Sequence, residues 1–362
     1  MVLALPRPSH RGTAGVTLSA NLGDILRPAR HPARVDNQGT TTDRRTRPLS
    51  YVDGVVDAED LETATRLFLA FEEAVLGQPD TTADDVAALL SVTSIDRARS
   101  CFLLDGDDAV GLLVIDKDPF AQATDIEVVT LPQTGSREVS TQALRTGLAV
   151  AREHRKDAGS SAWKARAGTY LADESYAEVM TEHGMRPARR FYRMRIESSS
   201  ALIPEVTPEL PPGIEIVGGA VDEDIRRIVH AVDRDAFREH WGWADYPYDE
   251  WWEHMTASPS FHPDDWWLLT VDGAPAAICL LGDGRKEQNE GYVQVLGVLR
   301  DFRGRGLAQL LLRRAFVHYR ALGRQATLLG VDATNPTGAV ALYEKVGMSQ
   351  VLVMEAYEHP LG

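Results

Sequence analysis

The chain is poor in cysteine, in long apolar runs and in positive charge, and each shortage excludes something. Its two cysteines, Cys101 and Cys279, cannot build a disulfide framework and stand at no metal-ligand spacing. They point to a reducing, cytoplasmic setting and to no bound metal. No run approaches the roughly 20 apolar residues that a membrane span requires, and the N-terminus has no apolar stretch of the signal-peptide kind. Arg44-Arg45 is a twin arginine only in spelling, because Thr46, Arg47 and Pro48 follow it. Basic residues number 38 against 53 acidic ones, a net charge of −15. Residues 1–50 alone hold eight arginines and three aspartates, so the remainder carries 30 basic and 50 acidic residues, a net of −20. A body so acidic repels a nucleic-acid backbone, and neither a nucleic-acid nor a membrane partner is expected.

What is present suits two domains in 362 residues. Residues 1–50 are rich in Pro, Gly, Thr and Arg, lack periodicity, and read as a disordered basic leader. Beyond them the same grammar occurs twice. Residues 51–196 run from the amphipathic helix "LETATRLFLAFEEAVL" through the strand pair "CFLLDGDDAVGLLVIDK" to the strand "DIEVVTL". They then alternate helix and strand as far as "RRFYRMRIE". Residues 214–362 begin with the strand "IEIVGG", pass through two helices and reach the hairpin "DWWLLTVDGAPAAICLLGD", whose Asp272-Gly273 is a strong turn signal. From "YVQVLGV" to "QVLVMEAY" strand and helix alternate again. The Ser- and Pro-rich segment 197–213 reads as a linker. A hairpin followed by alternating helices and strands predicts the α/β class, with a mixed sheet covered by helices on both faces, in two tandem copies.

One stretch carries chemistry. In "LGVLRDFRGRGLAQLLL", residues 296–312, a strand gives way to Arg303-Gly304-Arg305-Gly306 and then to an apolar pattern of helical spacing. The two glycines remove Cβ atoms from the turn and allow positive φ, so the backbone can approach a ligand closely. The helix from Leu307 aims its free N–H groups and positive dipole end at the same place. The arginines add charge suited to phosphate oxygens. Together they describe a diphosphate cradle. The loop "LRDFRG" is too long for a dinucleotide fingerprint, which also wants a small residue where Gln309 stands, so an oxidoreductase is not expected. No Lys-Ser/Thr follows, so the turn is not a nucleoside triphosphate loop either.

From Val298 to Ala308 this stretch resembles the acetyl-CoA pyrophosphate motif of the GNAT superfamily of acyl-CoA-dependent N-acetyltransferases. "VDATNPTGAVALYEKVGM", residues 331–348, resembles the last strand-and-helix motif of the same family. The resemblance in element order extends over roughly residues 214–358. Two departures stand out: Asp301 replaces the usual Gln or Arg before the first glycine, and Arg300 replaces the common proline. The resemblance implies acetyl-CoA as co-substrate. Backbone groups of Leu296, Gly297 and Val298 would hold the pantetheine arm, and Arg303, Gly304, Arg305, Gly306, Leu307 and Ala308 the diphosphate. Asn335 would touch the pantetheine, and Tyr343 would protonate the leaving thiolate.

The expected reaction is transfer of an acetyl group to a primary amine of a small or medium-sized acceptor by direct attack. The alternatives are a non-catalytic acyl-CoA-binding regulator and an enzyme acting on proteins or peptides. The general base stays open among Glu290, Gln294 and Asp332. Gln294 sits where relatives often carry Glu. The segment 239–255 packs six aromatic residues between two helices, and the resemblance places it against the acceptor, so Trp241, Trp251, Gln294 and Asp332 are the candidate acceptor contacts. Asp245, Asp249 and Glu250 stand beside the rings as receivers of a cationic amine, and His240 and His254 are not at metal-ligand spacing. A monomer and a homodimer are both compatible with the chain.

The first copy lacks these parts. A shift of 167 residues sets Arg137 and Val139 opposite Gly304 and Gly306, and aligning Gly184-Met185 with Gly347-Met348, a shift of 163, puts Met180 opposite Tyr343. It reads as a degenerate unit that supports the second or shapes the acceptor site.

Overall fold

The computed structural model describes residues 44–132, 135–219, 222–256, 263–334 and 338–361. The N-terminal half holds strands β1 (Arg45–Pro48), β2 (Tyr51–Val52) and β3 (Val55–Val56), then helices α1 (Ala58–Leu76) and α2 (Ala83–Ser91). It continues with β4 (Cys101–Asp105), β5 (Asp108–Asp118), β6 (Ala123–Thr130), α3 (Ser136–Ala158), β7 (Lys164–Tyr170), α4 (Glu174–Glu182) and β8 (Arg186–Glu197). The C-terminal half opens with β9 (Ile214–Gly218), α5 (Glu223–Phe237), α6 (Tyr248–Thr256), β10 (Trp266–Val271) and β11 (Ala274–Gly282). It ends with β12 (Glu290–Val298), α7 (Leu307–Ala321), β13 (Ala326–Asp332), α8 (Ala339–Lys345) and β14 (Ser349–Pro360). Among the described residues no helix is long and apolar enough to cross a membrane.

Two copies are present, as the sequence predicts, but they do not close separately. Twelve strands form one sheet in the order β1-β4-β5-β6-β7-β14-β8-β13-β12-β11-β10-β9. The final strand of each half has crossed into the other. β14 pairs with β7, with Ala356 opposite Gly168, and β8 pairs with β13, with Arg195 opposite Leu328. The exchange is driven by side chains. Met354 and Tyr357 of β14 are buried in cores built by the N-terminal half, whereas Met194 and Ile196 of β8 are buried against α7 and β12. Hydrophobic burial and strand pairing therefore act across the two halves at once.

Some elements were not legible in the sequence. Residues 44–50, assigned above to the leader, are a correction: β1 is an edge strand on β4, with Arg47 in a two-pronged ion pair to the buried Asp60. The rest of the leader lies outside the described residues. Helix α2 also escaped notice, because its start is set by a capping box, Thr82 with Asp85, rather than by a long apolar stripe. The segment 197–213 lies along α7, where Arg314 donates to the Pro208 carbonyl and Arg320 to those of Pro204 and Glu205.

In each half the only parallel pair among the described residues splays apart. β12 and β13 are paired from Glu290/Ala326 to Val293/Leu329 and no further, although β12 runs on to Val298. The cause is local. The β11–β12 register slips between Leu280/Val295 and Leu281/Val293, which leaves Gln294 as the extra residue of a bulge. Gly282 lies beneath it, where a Cβ would overlap the Gln294 side chain. The bulge bends β12 away from β13 and leaves an edge of peptide groups facing a wedge.

Because the exchanged strands complete both cores, urea unfolding is expected to be one cooperative transition. Met354→Ala should cost about 2–5 kcal/mol and accelerate hydrogen exchange in the N-terminal core as well as in β14. Two transitions, with the N-terminal half untouched by the substitution, would contradict this arrangement.

Candidate active site

The cradle has the predicted local geometry. Gly304 and Gly306 sit at φ of +76° and +78°, in the left-handed region where L side chains are strained, and a Cβ at either would stand in open space. Gly306 is the N-cap of α7 and offers no side chain to its first turn. Among the described residues the backbone N–H groups of 304–309 have no hydrogen-bond partner. Six donors, two missing side chains and a helix dipole converge on one point, an arrangement that fits an anion of diphosphate size.

The two arginines divide the work. Arg303 turns inward: Nε donates to the Val298 carbonyl at 3.2 Å and Nη2 to the Ala236 carbonyl at 3.1 Å, with Glu239 beyond. Its guanidinium ties the turn to β12 and to the end of α5, and its backbone N–H donates to the Arg300 carbonyl at 3.2 Å, so Arg303 braces the turn and leaves the open donors to the residues after it. Arg305 lies over the Phe302 ring, is exposed, and has one exposed bond, from Nη2 to the Asp301 carbonyl at 3.3 Å, which an incoming phosphate can replace. Gly297 brings α5 close, since a Cβ there would stand 3.0 Å from the Phe237 ring and 3.1 Å from Ala236.

A cavity of about 900 Å³ runs from this turn along the wedge and into the space between the halves. Gly304, Gly306, Leu307 and Ala308 line one end, Leu296, Gly297, Val298 and Tyr343 the middle, and Trp241, Trp251, Gln294 and Asp332 the far part. Asn335 lies outside the described residues. Tyr343 is 7% exposed, and burial raises its hydroxyl above the ordinary tyrosine value, so it stays protonated and able to donate. Both cysteines are buried and their thiols are pushed up, which keeps them unreactive.

The N-terminal half supplies the opposite wall. Arg166 holds Asp125 with two bonds of 2.8 Å and stands 5.8 Å from the Trp241 ring. The Tyr246 hydroxyl donates to Asp118 at 2.7 Å, so the aromatic segment is anchored across the junction. Asp80 reaches Arg193 and, at 3.3 Å, Arg285. It is presented by a loop built on the fully buried Glu72, which accepts from Asp80 N, Thr81 N and the Tyr170 hydroxyl. This wall was not legible in the sequence, because its residues are scattered over several strands, a helix and two loops.

Several expectations need correction. Asp245, Asp249 and Glu250 are exposed and do not line the cavity; the cavity-lining carboxylate that the aromatic segment bonds is Asp233, one helix earlier. Glu290 is buried between Arg195 and Arg285, at 2.8 Å from the latter, and cannot serve as a base. Trp251 and Trp252 pack on the buried Trp266, so half of this aromatic group is core, while Trp241 and Trp243 face the cleft.

The matching place in the first copy is closed. Val139 packs on Gly111, where a Cβ would stand 2.6 Å from its methyl group. Arg137 binds Glu178 and Glu182 at 3.1 and 2.7 Å and clamps α3 to α4. Met180, opposite Tyr343, is completely buried.

Residues 225–348 match the model of the acetyltransferase (GNAT) family. That match runs from α5 to just past α8 of the C-terminal half, and the chain as a whole has the fold of two tandem GNAT-like domains. It is similar to the mycothiol acetyltransferase of Pseudarthrobacter chlorophenolicus, with 24% identity over 338 residues that cover 84% of this chain and 93% of that protein. In fold it is similar to a GCN5-related N-acetyltransferase from Sphaerobacter thermophilus, with a TM-score of 0.68, 22% identity, and coverage of 86% of this chain and 96% of that one. A tandem GNAT protein from the clavulanic acid biosynthesis pathway gives a TM-score of 0.63 at 15% identity, covering 88% and 98%.

Gly306→Glu should weaken acetyl-CoA binding by roughly a hundredfold or more in calorimetry, because it combines backbone strain of about 1–2 kcal/mol with charge repulsion at the cradle. Arg137→Ala in the first copy should leave the affinity unchanged. Equal losses in both variants would place the nucleotide elsewhere.

Proposed function

We propose that the chain transfers the acetyl group of acetyl-CoA to the primary amine of a small acceptor held in the cleft between the two halves. The observation that carries this reading is the continuous cavity, which joins the cradle to walls contributed by both halves, Trp241 and Trp251 among them. Its volume of about 900 Å³ suits an acyl-CoA arm together with a compact acceptor. The small molecule in the name of the mycothiol acetyltransferase relatives supports the small-molecule class.

Bound at the turn, acetyl-CoA supplies an activated acetyl group. The chain supplies position and charge. The wedge edge of β12 beyond Val293 directs peptide N–H groups toward the thioester oxygen, the kind of donor worth about 2.7–4 kcal/mol in acyl transfer. Tyr343 gives its proton to the departing sulfur. The walls of the cleft hold both reactants together, which accounts for most of the acceleration.

Incubating the enzyme with isotope-labelled acetyl-CoA and cell extract should place label on small amines, and Tyr343→Phe should lower turnover by roughly a hundredfold without changing acetyl-CoA affinity. Label found chiefly on proteins, or turnover indifferent to Tyr343→Phe, would overturn the assignment.

A further inference from the structure

One carboxylate in the cleft has no countercharge. Asp233 stands on α5 between His230 and Phe237, at the spacing that places all three on the helix stripe facing the cavity, while Val229, Val232 and Ala236 are buried on the sheet side. Its Oδ2 accepts from Trp251 Nε1 at 2.8 Å. Among the described residues nothing else hydrogen bonds to it and no cation lies within ion-pair range. Burial pushes its carboxyl up to about 6. A lone carboxylate amid apolar and aromatic groups is costly unless a cation or a proton joins it. The rings beside it belong to Trp251 and His230, themselves 5.0 Å apart, and an indole face attracts an ammonium group.

Its position relative to the reacting carbon follows from the helix. Phe237 rests on Gly297, in the part of β12 that faces the wedge. Asp233 is four residues earlier on the same stripe, about 6 Å along the axis. None of the three candidates left open by the sequence is a free base. Glu290 is held by two arginines, and Asp332 accepts from Thr334 N and Oγ1, both at 2.8 Å, and faces Arg189. Gln294 has no basic group.

We infer that Asp233 receives the primary ammonium of the acceptor and takes its proton, an inference that rests on the acetyltransferase reading above. The proton passes from nitrogen to the carboxylate, leaving a neutral amine and a carboxylic acid. The nitrogen lone pair forms the bond to the carbonyl carbon as the carbon–sulfur bond breaks, and the thiolate takes the Tyr343 proton. The second proton on nitrogen restores Tyr343, and Asp233 releases its own to water. Ammonium and thioester thus become amide, thiol and one proton. The acceptor class is a small molecule that presents a primary ammonium as its reacting end.

Other titratable groups face the same cleft. His230 and Arg234 share the helix, and His240 follows it; burial lowers both histidines below their ordinary value. Across the cleft are the Asp125–Arg166 pair and Glu127, which burial pushes up to about 7. A rate profile alone would not single out Asp233, so the test includes stability. With its value raised from 3.8 to about 6, the folded state favours protonated Asp233. The resulting stability is present at low pH and lost as pH rises between those values.

Asp233→Asn keeps the shape and the Trp251 bond. It should therefore melt a few degrees above wild type at neutral pH and level with it in acid. With glucosamine as the amine probe, kcat/KM should fall by roughly a hundredfold at neutral pH and recover in part at alkaline pH, where the probe loses its own proton. Where wild type binds acetyl-CoA but does not acetylate glucosamine, the same probe should still raise the melting temperature of wild type and not that of Asp233→Asn. Asp233→Asn turning over within about threefold of wild type, or glucosamine stabilising both proteins equally or neither, would overturn the inference. So would His240→Asn carrying the loss in its place. Failure of wild type to bind acetyl-CoA in calorimetry would instead sink the acetyltransferase reading, and this inference with it.

Discussion

The exchange of final strands between the two halves is the constraint on which the rest depends. β14 between β7 and β8, and β8 between β14 and β13, turn two sheets into one. The distance between the cradle and the opposite wall is then set by strand spacing rather than by a hinge. Arg193 of β8 and Tyr292 of β12, 5.7 Å from guanidinium carbon to ring centre, face each other across that junction. A cleft held this way can be lined with buried charges, because Asp80, Arg285 and Glu290 keep their partners without movement. Such pairs are weak sources of stability but strong constraints on geometry.

The two halves carry the same parallel splay and put it to opposite uses. In the first, β6 and β7 part after Ile126 and Ala167, and the neighbouring helix start is filled by Val139 and clamped by Arg137. In the second, a bulge at Gln294 accompanies the splay and two glycines leave the helix start bare. The difference between a structural domain and a binding one is a handful of side chains at a single turn. The inert copy remains functional in another sense: its β5, β6 and β7 give the acceptor cleft its second wall.

How much of this was legible follows from range. The cradle was, because its glycines, arginines and helix start are consecutive and each has a local physical meaning. The strand and helix order was too, apart from the short β1 and the capping-box helix α2. The exchange of β8 and β14 was not, since a strand's own pattern does not name its neighbour. Asp233 escaped for a similar reason. In sequence it is one acid on an amphipathic helix, and only the packing of Trp251, 18 positions later, gives its carboxylate an indole donor and an apolar neighbour. The acids next to the aromatic residues looked better placed and proved to be exposed, because sequence adjacency is a poor guide to which side of a helix faces a cleft.

The central claim is that the second copy alone takes acetyl-CoA and does so at the wedge and the glycine–arginine turn. Hydrogen–deuterium exchange of the full chain with and without acetyl-CoA tests it most directly. Slowed exchange is expected at the backbone amides of 294–298 and 304–309, with none at 128–140 in the first copy. Protection at 128–140, or no change at the turn, would contradict the account.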